Sequence, residues 1–490
     1  MKGGTPKKKV LPILAQWACW LIIWQLGAWA VGNPLFLPGP LLVAKTIGEL
    51  ATTKEFYLST LWTIGRCLGA MVISFFLGSA LAYLSYKFKL VKEAVSLPMT
   101  FFKAVPVMAV AIYIILLVDA DWVGVIVCVL MCMPMVYTNI LEGFCQVDEK
   151  LTQVCKIYDI SGKEYFRLLQ LPTILPYVKA ALNLISGISW KAVVAAEVLS
   201  IPAHSLGTQM LSAKYYLETQ ALFAYIVIIV LLSILLEKAI KKWVGRFTWH
   251  AYKGSKILTQ KNDGHAPNDI QRDNLTAEEG NRGVSPKISI VNGVKVYVDK
   301  KVLSYANLCL QPGKITALCG PSGSGKTTLA GVISGLEELT GGELVAEPKE
   351  PVTYLFQEDR LFPWLNVYDN IALGLVSEES MTAEEKDERI RALVINLEIE
   401  EALWKIPGEL SGGMGHRVAL ARTFAAKRPL IILDEPFRGL DEGLKERIIK
   451  KMWKEETENK TVLLITHNSE DCKMMADNTL DIWSVCGPEN

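Results

Sequence analysis

The chain has 490 residues, of which 51% are hydrophobic and 21% charged, and its 51 Lys and Arg balance 50 Asp and Glu to a net charge of +1. That length suggests roughly three domain-sized pieces, and the apolar content exceeds what a single soluble globule usually carries. The balanced charge excludes both a dominant basic field for nucleic acid and an acidic solvating tail. Ten cysteines are too sparse for a disulfide scaffold, and none falls in a paired zinc-type spacing. Cys128 and Cys132, four apart in an apolar run, are expected to pack.

No charged side chain occurs between Lys9 and Lys45, and the stretch Val10 to Val31 is long enough to cross a hydrocarbon core about 30 Å thick. Lys2, Lys7, Lys8 and Lys9 precede it, but no small-residue cleavage site follows, so a retained first span with a cytoplasmic amino end is expected. Further apolar runs lie at Cys67 to Tyr86, Pro98 to Val118, Trp122 to Leu141, Ile174 to Ala196 and Ala221 to Leu236, which makes six spans. Lys103 and Pro106 interrupt the third. Basic clusters follow the second span (Lys87, Lys89, Lys92), the fourth (Lys150, Lys156, Lys163, Arg167) and the sixth (Lys238, Lys241, Lys242, Arg246). All three fall on the side expected to face the cytoplasm.

From His250 to Ser285 the composition turns polar and mixed in charge, as in a flexible tether. Beyond it, β-like runs at Ile288 to Val298, Ile315 to Leu318, Val352 to Phe356, Leu430 to Leu433 and Val462 to Ile465 alternate with helical segments, which predicts an α/β domain with a largely parallel sheet. The expected divisions are residues 1–249, a tether at 250–285, and 286–490.

The sequence Gly320-Pro321-Ser322-Gly323-Ser324-Gly325-Lys326-Thr327, with Thr328 opening a helix-like run, fits a phosphate-binding loop between a strand and a helix. Glycines let backbone N–H groups approach a phosphate, and the helix N-terminus adds partial positive charge. Lys326 is expected on the β- and γ-phosphates and Thr327 on Mg²⁺. Leu430 to Glu435 reads as a buried strand ending in two carboxylates. Asp434 would stand beside the Mg²⁺, and Glu435 would polarise a water for attack on the γ-phosphate.

Between those elements lies Leu410-Ser411-Gly412-Gly413-Met414-Gly415-His416-Arg417, continuing to Arg422. With it the chain resembles the ATP-binding cassette (ABC) family. The resemblance implies that Ser411, Gly412 and Gly413 cap ATP held by a second copy. It also implies that Gln357 senses Mg²⁺ and the interface, that His467 is the switch histidine, that Asp441 belongs to the loop after the acidic strand, and that Tyr297 stacks on adenine. Met414 suits importers of the nitrate, sulfonate and taurine type, whereas Gly415, His416 and Gly439 depart from the usual residues.

Leu151 to Pro172 resembles the cytoplasmic coupling loop of importer permeases. Leu171-Pro172 fits that pattern and Gly162 lies within it, while Asp159 stands where the family has glycine; Asp tolerates left-handed backbone better than most residues. Ser189 to Leu199, Ser205 to Gly207 and Pro98 to Pro106 resemble the same permease group. Lys191 and Glu197 are candidate pathway groups, since charge within a span usually faces a cavity or a partner; the alternatives are that Lys191 snorkels or pairs with Glu197. The expected fold is an α-helical membrane domain of six transmembrane helices, type I importer-like, followed by an α/β P-loop ATPase. The expected function is ATP- and Mg²⁺-dependent import of a small solute, an anion by this reading, across the inner membrane. Its partners would be a second copy, an external solute-binding protein and the bilayer, with no nucleic acid. An exporter half-molecule and a regulatory membrane ATPase are the alternatives.

Overall fold

The computed structural model describes residues 7–253, 287–298, 300–321, 323–347, 351–378 and 380–486. The expected tether at 250–285 lies almost wholly outside the described residues, as does Ser322. The chain divides into two compact units, one of Met1–Val147 and Thr173–Ala251 and the other of Asp148–Pro172 and Tyr252–Asn490.

The first half of the chain is helical: α1 (Lys7–Val31), α2 (Pro40–Leu50), α3 (Lys54–Lys87), α4 (Lys89–Ala104), α5 (Val107–Ile115), α6 (Ala120–Cys145), α7 (Glu149–Ile157), α8 (Gly162–Tyr165), α9 (Leu171–Ser200), α10 (Leu206–Tyr215) and α11 (Thr219–Lys253). Among the described residues four helical stretches are long and apolar enough to cross a membrane: Lys54–Lys87, Ala120–Cys145, Gly162–Ser200 and Thr219–Arg246. A fifth candidate is the pair α4 and α5, bent by 103°. The break falls at Val105 and Pro106 because proline lacks the donor a continuing helix needs and disfavours helical backbone in the residue before it. The apolar stretch Ala18–Val31 is the remaining expected span.

Helices α3 and α6 approach closely at Gly78, where an added Cβ would stand 2.8 Å from the Val136 Cβ and 2.9 Å from the Met133 carbonyl. A residue without a side chain lets the two backbones approach, as is common between membrane helices. Cys67, Cys128, Cys132, Val136, Ile185 and Trp190 are buried in this helical core, and the two sulfurs of Cys128 and Cys132 lie 3.8 Å apart, as the packing expectation requires.

The second unit carries β1 (Lys287–Tyr297), β2 (Lys300–Leu310), β3 (Ile315–Cys319), α12 (Lys326–Ile333), β4 (Gly341–Glu347), β5 (Val352–Leu355), α13 (Val367–Ala372), α14 (Ala383–Asn396), α15 (Gly412–Ala425), β6 (Leu430–Asp434), α16 (Glu442–Ile448), α17 (Lys454–Thr457), β7 (Thr461–Ile465), α18 (Ser469–Met475), β8 (Asn478–Asp481) and α19 (Ile482–Cys486). A five-stranded sheet has the order β5-β6-β7-β3-β8, and all of its pairs are parallel. Every residue of β6 and β7 is buried, which explains their unbroken apolar runs: strands covered on both faces have no polar side to alternate with. A separate antiparallel sheet, ordered β2-β1-β4, was only partly foreseen. Its strand β2 buries Leu303, Ala306, Leu308 and Leu310 and exposes Tyr305, Asn307 and Cys309 between them. Cys319 and Cys472 are joined by a disulfide, a link that the cysteine spacing did not suggest.

Candidate nucleotide site and coupling loop

The strand order brings the ends of β3, β6 and β7 side by side, and the chemistry gathers at those ends. After β3 the chain turns through Gly320, Gly323 and Gly325 at φ of 152°, 81° and 93°, angles that a side chain makes costly. Helix α12 starts at Lys326, directly after this loop. The Lys326 ammonium is held over the loop by the carbonyls of Gly320 at 2.9 Å and Pro321 at 2.6 Å, with Ser324 Oγ at 3.4 Å. Burial pulls its pKa below the usual lysine value, opposed by the carboxylates of Asp434 and Glu435.

Thr327 Oγ1 donates to Asp434 Oδ2 at 3.0 Å, so the sequence-predicted metal pair is assembled across α12 and β6. Burial pushes the Asp434 carboxyl up to about 6, a penalty that a bound cation would offset. These two hard oxygen donors fit Mg²⁺, which when bound would neutralise charge on the nucleotide phosphates.

Glu435 follows β6 in left-handed backbone, φ 53°, with its N–H donating to the Ile465 carbonyl at 2.9 Å. His467, just past β7, places Nδ1 3.0 Å from Glu435 Oε1. The candidate base and the candidate switch histidine therefore touch. Gln357 follows β5 with an exposed side chain, and its carbonyl accepts from Arg438 Nη1 at 3.2 Å. The Tyr297 hydroxyl reaches Glu337 and Thr328, which brings this half-exposed ring towards α12; burial and Glu337 push its pKa up to about 12.

Ser411 caps α15, its Oγ accepting from Met414 N at 3.4 Å; Gly412 and Gly413 form the first turn of that helix. Asp441 likewise caps α16 through Leu444 N at 3.0 Å. Such caps satisfy N–H groups that a helix start leaves without partners.

The departures at Gly415 and His416 prove to be one arrangement. His416 is buried, with Nδ1 2.9 Å from Asp359 Oδ1 and Nε2 3.1 Å from the carbonyls of both Glu435 and Pro436. A Cβ on Gly415 would stand 2.7 Å from Asp359 Oδ2, so the glycine makes room for the carboxylate that His416 meets. Arg422, fully buried, donates to the carbonyls of Asp359 and Arg360 at 3.0 and 2.9 Å. None of these supports was assigned from the sequence, although the unusual Gly-His pair was the signal.

Residues 148–172 belong to the same compact unit as the nucleotide site. Along edge strand β5 and the segment after it, Lys150 Nζ lies 2.6 Å from Glu358 Oε2, Arg360 Nη1 donates to Gln153 Oε1 at 2.6 Å, and Trp364 Nε1 donates to the Leu168 carbonyl at 2.9 Å. Asp159 adopts left-handed backbone at φ 57° and Gly162 at φ 58°, while Pro172 lies in the first turn of α9.

In the helical unit, Glu197 is fully buried and accepts from Thr63 Oγ1 at 3.0 Å, from Arg66 Nη1 at 3.0 Å and from Gly207 N at 3.4 Å. Arg66 also holds Asp121 at 2.6 Å and the His204 carbonyl at 2.9 Å. Lys191 is exposed. The considered Lys191–Glu197 pair is therefore corrected: at about 100° per residue, six positions turn a helix to a different face, and Arg66 takes the carboxylate.

Residues 303–438 match the family "ABC transporter", and residues 74–248 match "Binding-protein-dependent transport system inner membrane component". The chain is 37% identical over 201 residues to the aliphatic sulfonates import ATP-binding protein SsuB 2 of Streptomyces avermitilis, covering 40% of this chain and 76% of that protein. It is 38% identical over 175 residues to the thiamine import ATP-binding protein ThiQ of Photobacterium profundum, covering 34% and 72%. Among solved structures, a dimeric post-hydrolysis state of the ATP-binding cassette MJ0796 bound to ADP and Pi is 27% identical, covering 40% of this chain and 93% of that one, with a TM-score of 0.37. The chain belongs to the ABC transporter family, as an importer-type permease fused to its own ATP-hydrolysing cassette.

Proposed function

We propose that two copies of the chain assemble into an importer with two shared ATP sites. ATP is gripped by Lys326 and the loop Gly320 to Gly325 of one copy and capped by Ser411, Gly412 and Gly413 of the other. Tyr297 supports the adenine, Asp441 lines the interface, and Thr327, Asp434 and Gln357 serve the Mg²⁺. Glu435 orients and deprotonates the attacking water, and His467 holds Glu435 and meets the γ-phosphate. Preorganised groups of this kind act chiefly by position and charge in phosphoryl transfer.

The observation that carries the reading is the meeting of Thr327 with Asp434 and of Glu435 with His467, at 3.0 Å in each case. Closure of the shared sites is carried to the membrane helices through the segment Leu151 to Pro172, in which Asp159, Gly162 and Pro172 shape the turns. The importer-permease match at 74–248 supports uptake over export. The cargo is a small organic solute delivered by an external solute-binding protein to a multi-pass inner-membrane protein whose cassette faces the cytoplasm. Relatives that import sulfonates and thiamine support this class, and a negatively charged solute is our first choice. The exposed Lys191 is the remaining pathway candidate, since Glu197 is already matched by Arg66. Reconstitution in vesicles with sulfonate- and thiamine-binding proteins tests this: accumulation and ATP turnover rise together with the right partner, and turnover that ignores every binding protein discards import.

A further inference from the structure

Helix α7, about 13 Å long at 1.5 Å per residue, ends at Ile157, and the turn that follows is unusually well held. Tyr158 is fully buried, with its hydroxyl 3.5 Å from Thr353 Oγ1. The Asp159 N–H donates to the Lys156 carbonyl at 3.3 Å and the Ile160 N–H to the Cys155 carbonyl at 2.9 Å, the pattern of a helix closed by a left-handed residue. Glycine is the residue best suited to that backbone; this chain has Asp.

The reason lies in Arg428, which is 4% exposed and directly precedes Pro429 and β6. Its Nη1 donates to the Ile157 carbonyl at 2.7 Å and the Val352 carbonyl at 2.8 Å, and its Nη2 donates to Asp159 Oδ2 at 2.8 Å and Ser377 Oγ at 2.9 Å. One guanidinium thus binds the last carbonyl of α7, the carboxylate of the following turn and the cassette at the start of β5. A planar fork with several fixed donors can do this; a lysine cannot. The other end of α7 meets Glu358 through the exposed Lys150, beside Gln357 and the nucleotide site.

We propose that Asp159 and Arg428 are a positioning pair that pins the far end of the coupling loop to its own cassette, so that movement near Gln357 tilts the loop about a fixed end. This rests on the coupling-loop reading above.

Hydrogen–deuterium exchange of the full-length protein in detergent, followed on the peptide spanning residues 154–162, separates the pair from the turn. Asp159→Asn and Asp159→Gly both keep or ease the left-handed backbone and both remove the charge. If the pair pins the loop, each variant speeds exchange about fivefold, the effect of losing one partly exposed charge-assisted hydrogen bond, and Asp159→Asn adds nothing in an Arg428→Met background. If exchange is unchanged or slower in both variants, only the turn matters and the pair is overturned while loop seating stands. If the wild-type peptide already exchanges as fast as a free peptide, the loop is not seated on the cassette and the coupling reading fails with it.

Discussion

The imidazole of His416 bridges Asp359 Oδ1, at 2.9 Å, and the carbonyl of Glu435, at 3.1 Å. It thereby ties the segment after Gln357 to the backbone of the candidate catalytic base. Replacing His416 with Ala leaves the buried Pro436 carbonyl without its His416 donor, at a cost of about 1–3 kcal/mol, whereas the Glu435 carbonyl keeps the Arg438 N–H at 3.1 Å. His416→Ala is expected to lower both the thermal midpoint and ATP turnover, while His416→Gln, which keeps a donor, recovers much of each. Gly415→Ala, by crowding Asp359, should lower turnover in the same direction. Steady-state ATPase assays with thermal unfolding of the same samples decide this; full activity in both alanine variants would show that the bridge is idle.

Glu435→Gln keeps the size and hydrogen-bonding reach of the side chain but not its basicity. Its turnover is expected to fall by about a hundredfold or more while nucleotide still binds, as read by fluorescent-nucleotide titration. Unchanged hydrolysis would remove Glu435 from its assigned role.

Arg66 and Glu197 form an ion pair with both side chains almost entirely shielded. Removing one partner leaves the other buried and uncompensated, which costs about 3–5 kcal/mol. Arg66→Met is therefore expected to reduce the yield of folded protein sharply, and Arg66→Met with Glu197→Met to restore most of it. Detergent-solubilised yield and thermal midpoint report both; if the double variant is no better than the single one, the two side chains act independently.

Burial alone pushes the Asp369 carboxyl up to about 6, and its Oδ1 is a buried atom without a hydrogen bond. The folded state then favours the neutral acid, so this group's contribution to stability is best below the usual carboxylate pKa near 4 and declines as pH rises through 6. Asp369→Asn should raise the thermal midpoint at pH 8, by a few degrees for about 1–2 kcal/mol, and by clearly less at pH 4.5, where only part of the charge has formed in the unfolded chain. An equal shift at both pH values would exclude the titration as its cause.

What the sequence made legible follows from distance along the chain. The phosphate-binding loop, the pair Asp434-Glu435 and the segment from Ser411 to Arg422 are each contiguous, so residue type and spacing alone point to their chemistry. Membrane helices are likewise written as local apolar runs. The supports are not: Arg66 meets Glu197 across 131 positions, His416 meets Asp359 across 57, and Arg428 meets Asp159 across 269. Arg66 also escaped notice because the second expected span began at Cys67, whereas α3 starts at Lys54. Strand β8, with its polar pattern at the sheet edge, lacks the apolar run that marked β6 and β7.

The central claim is that each ATP site is built from two copies, and mixed subunits test it most directly. A Lys326→Ala chain lacks the phosphate grip, and a Ser411→Arg chain blocks the cap. Co-expressed with different tags and purified as a mixed pair, the two variants contain one intact site, so ATP turnover should return to a substantial fraction of wild type although each variant alone is inactive. A Ser411→Arg chain that hydrolyses ATP at the full rate by itself, or a mixed pair that stays inactive, would contradict a site shared between copies.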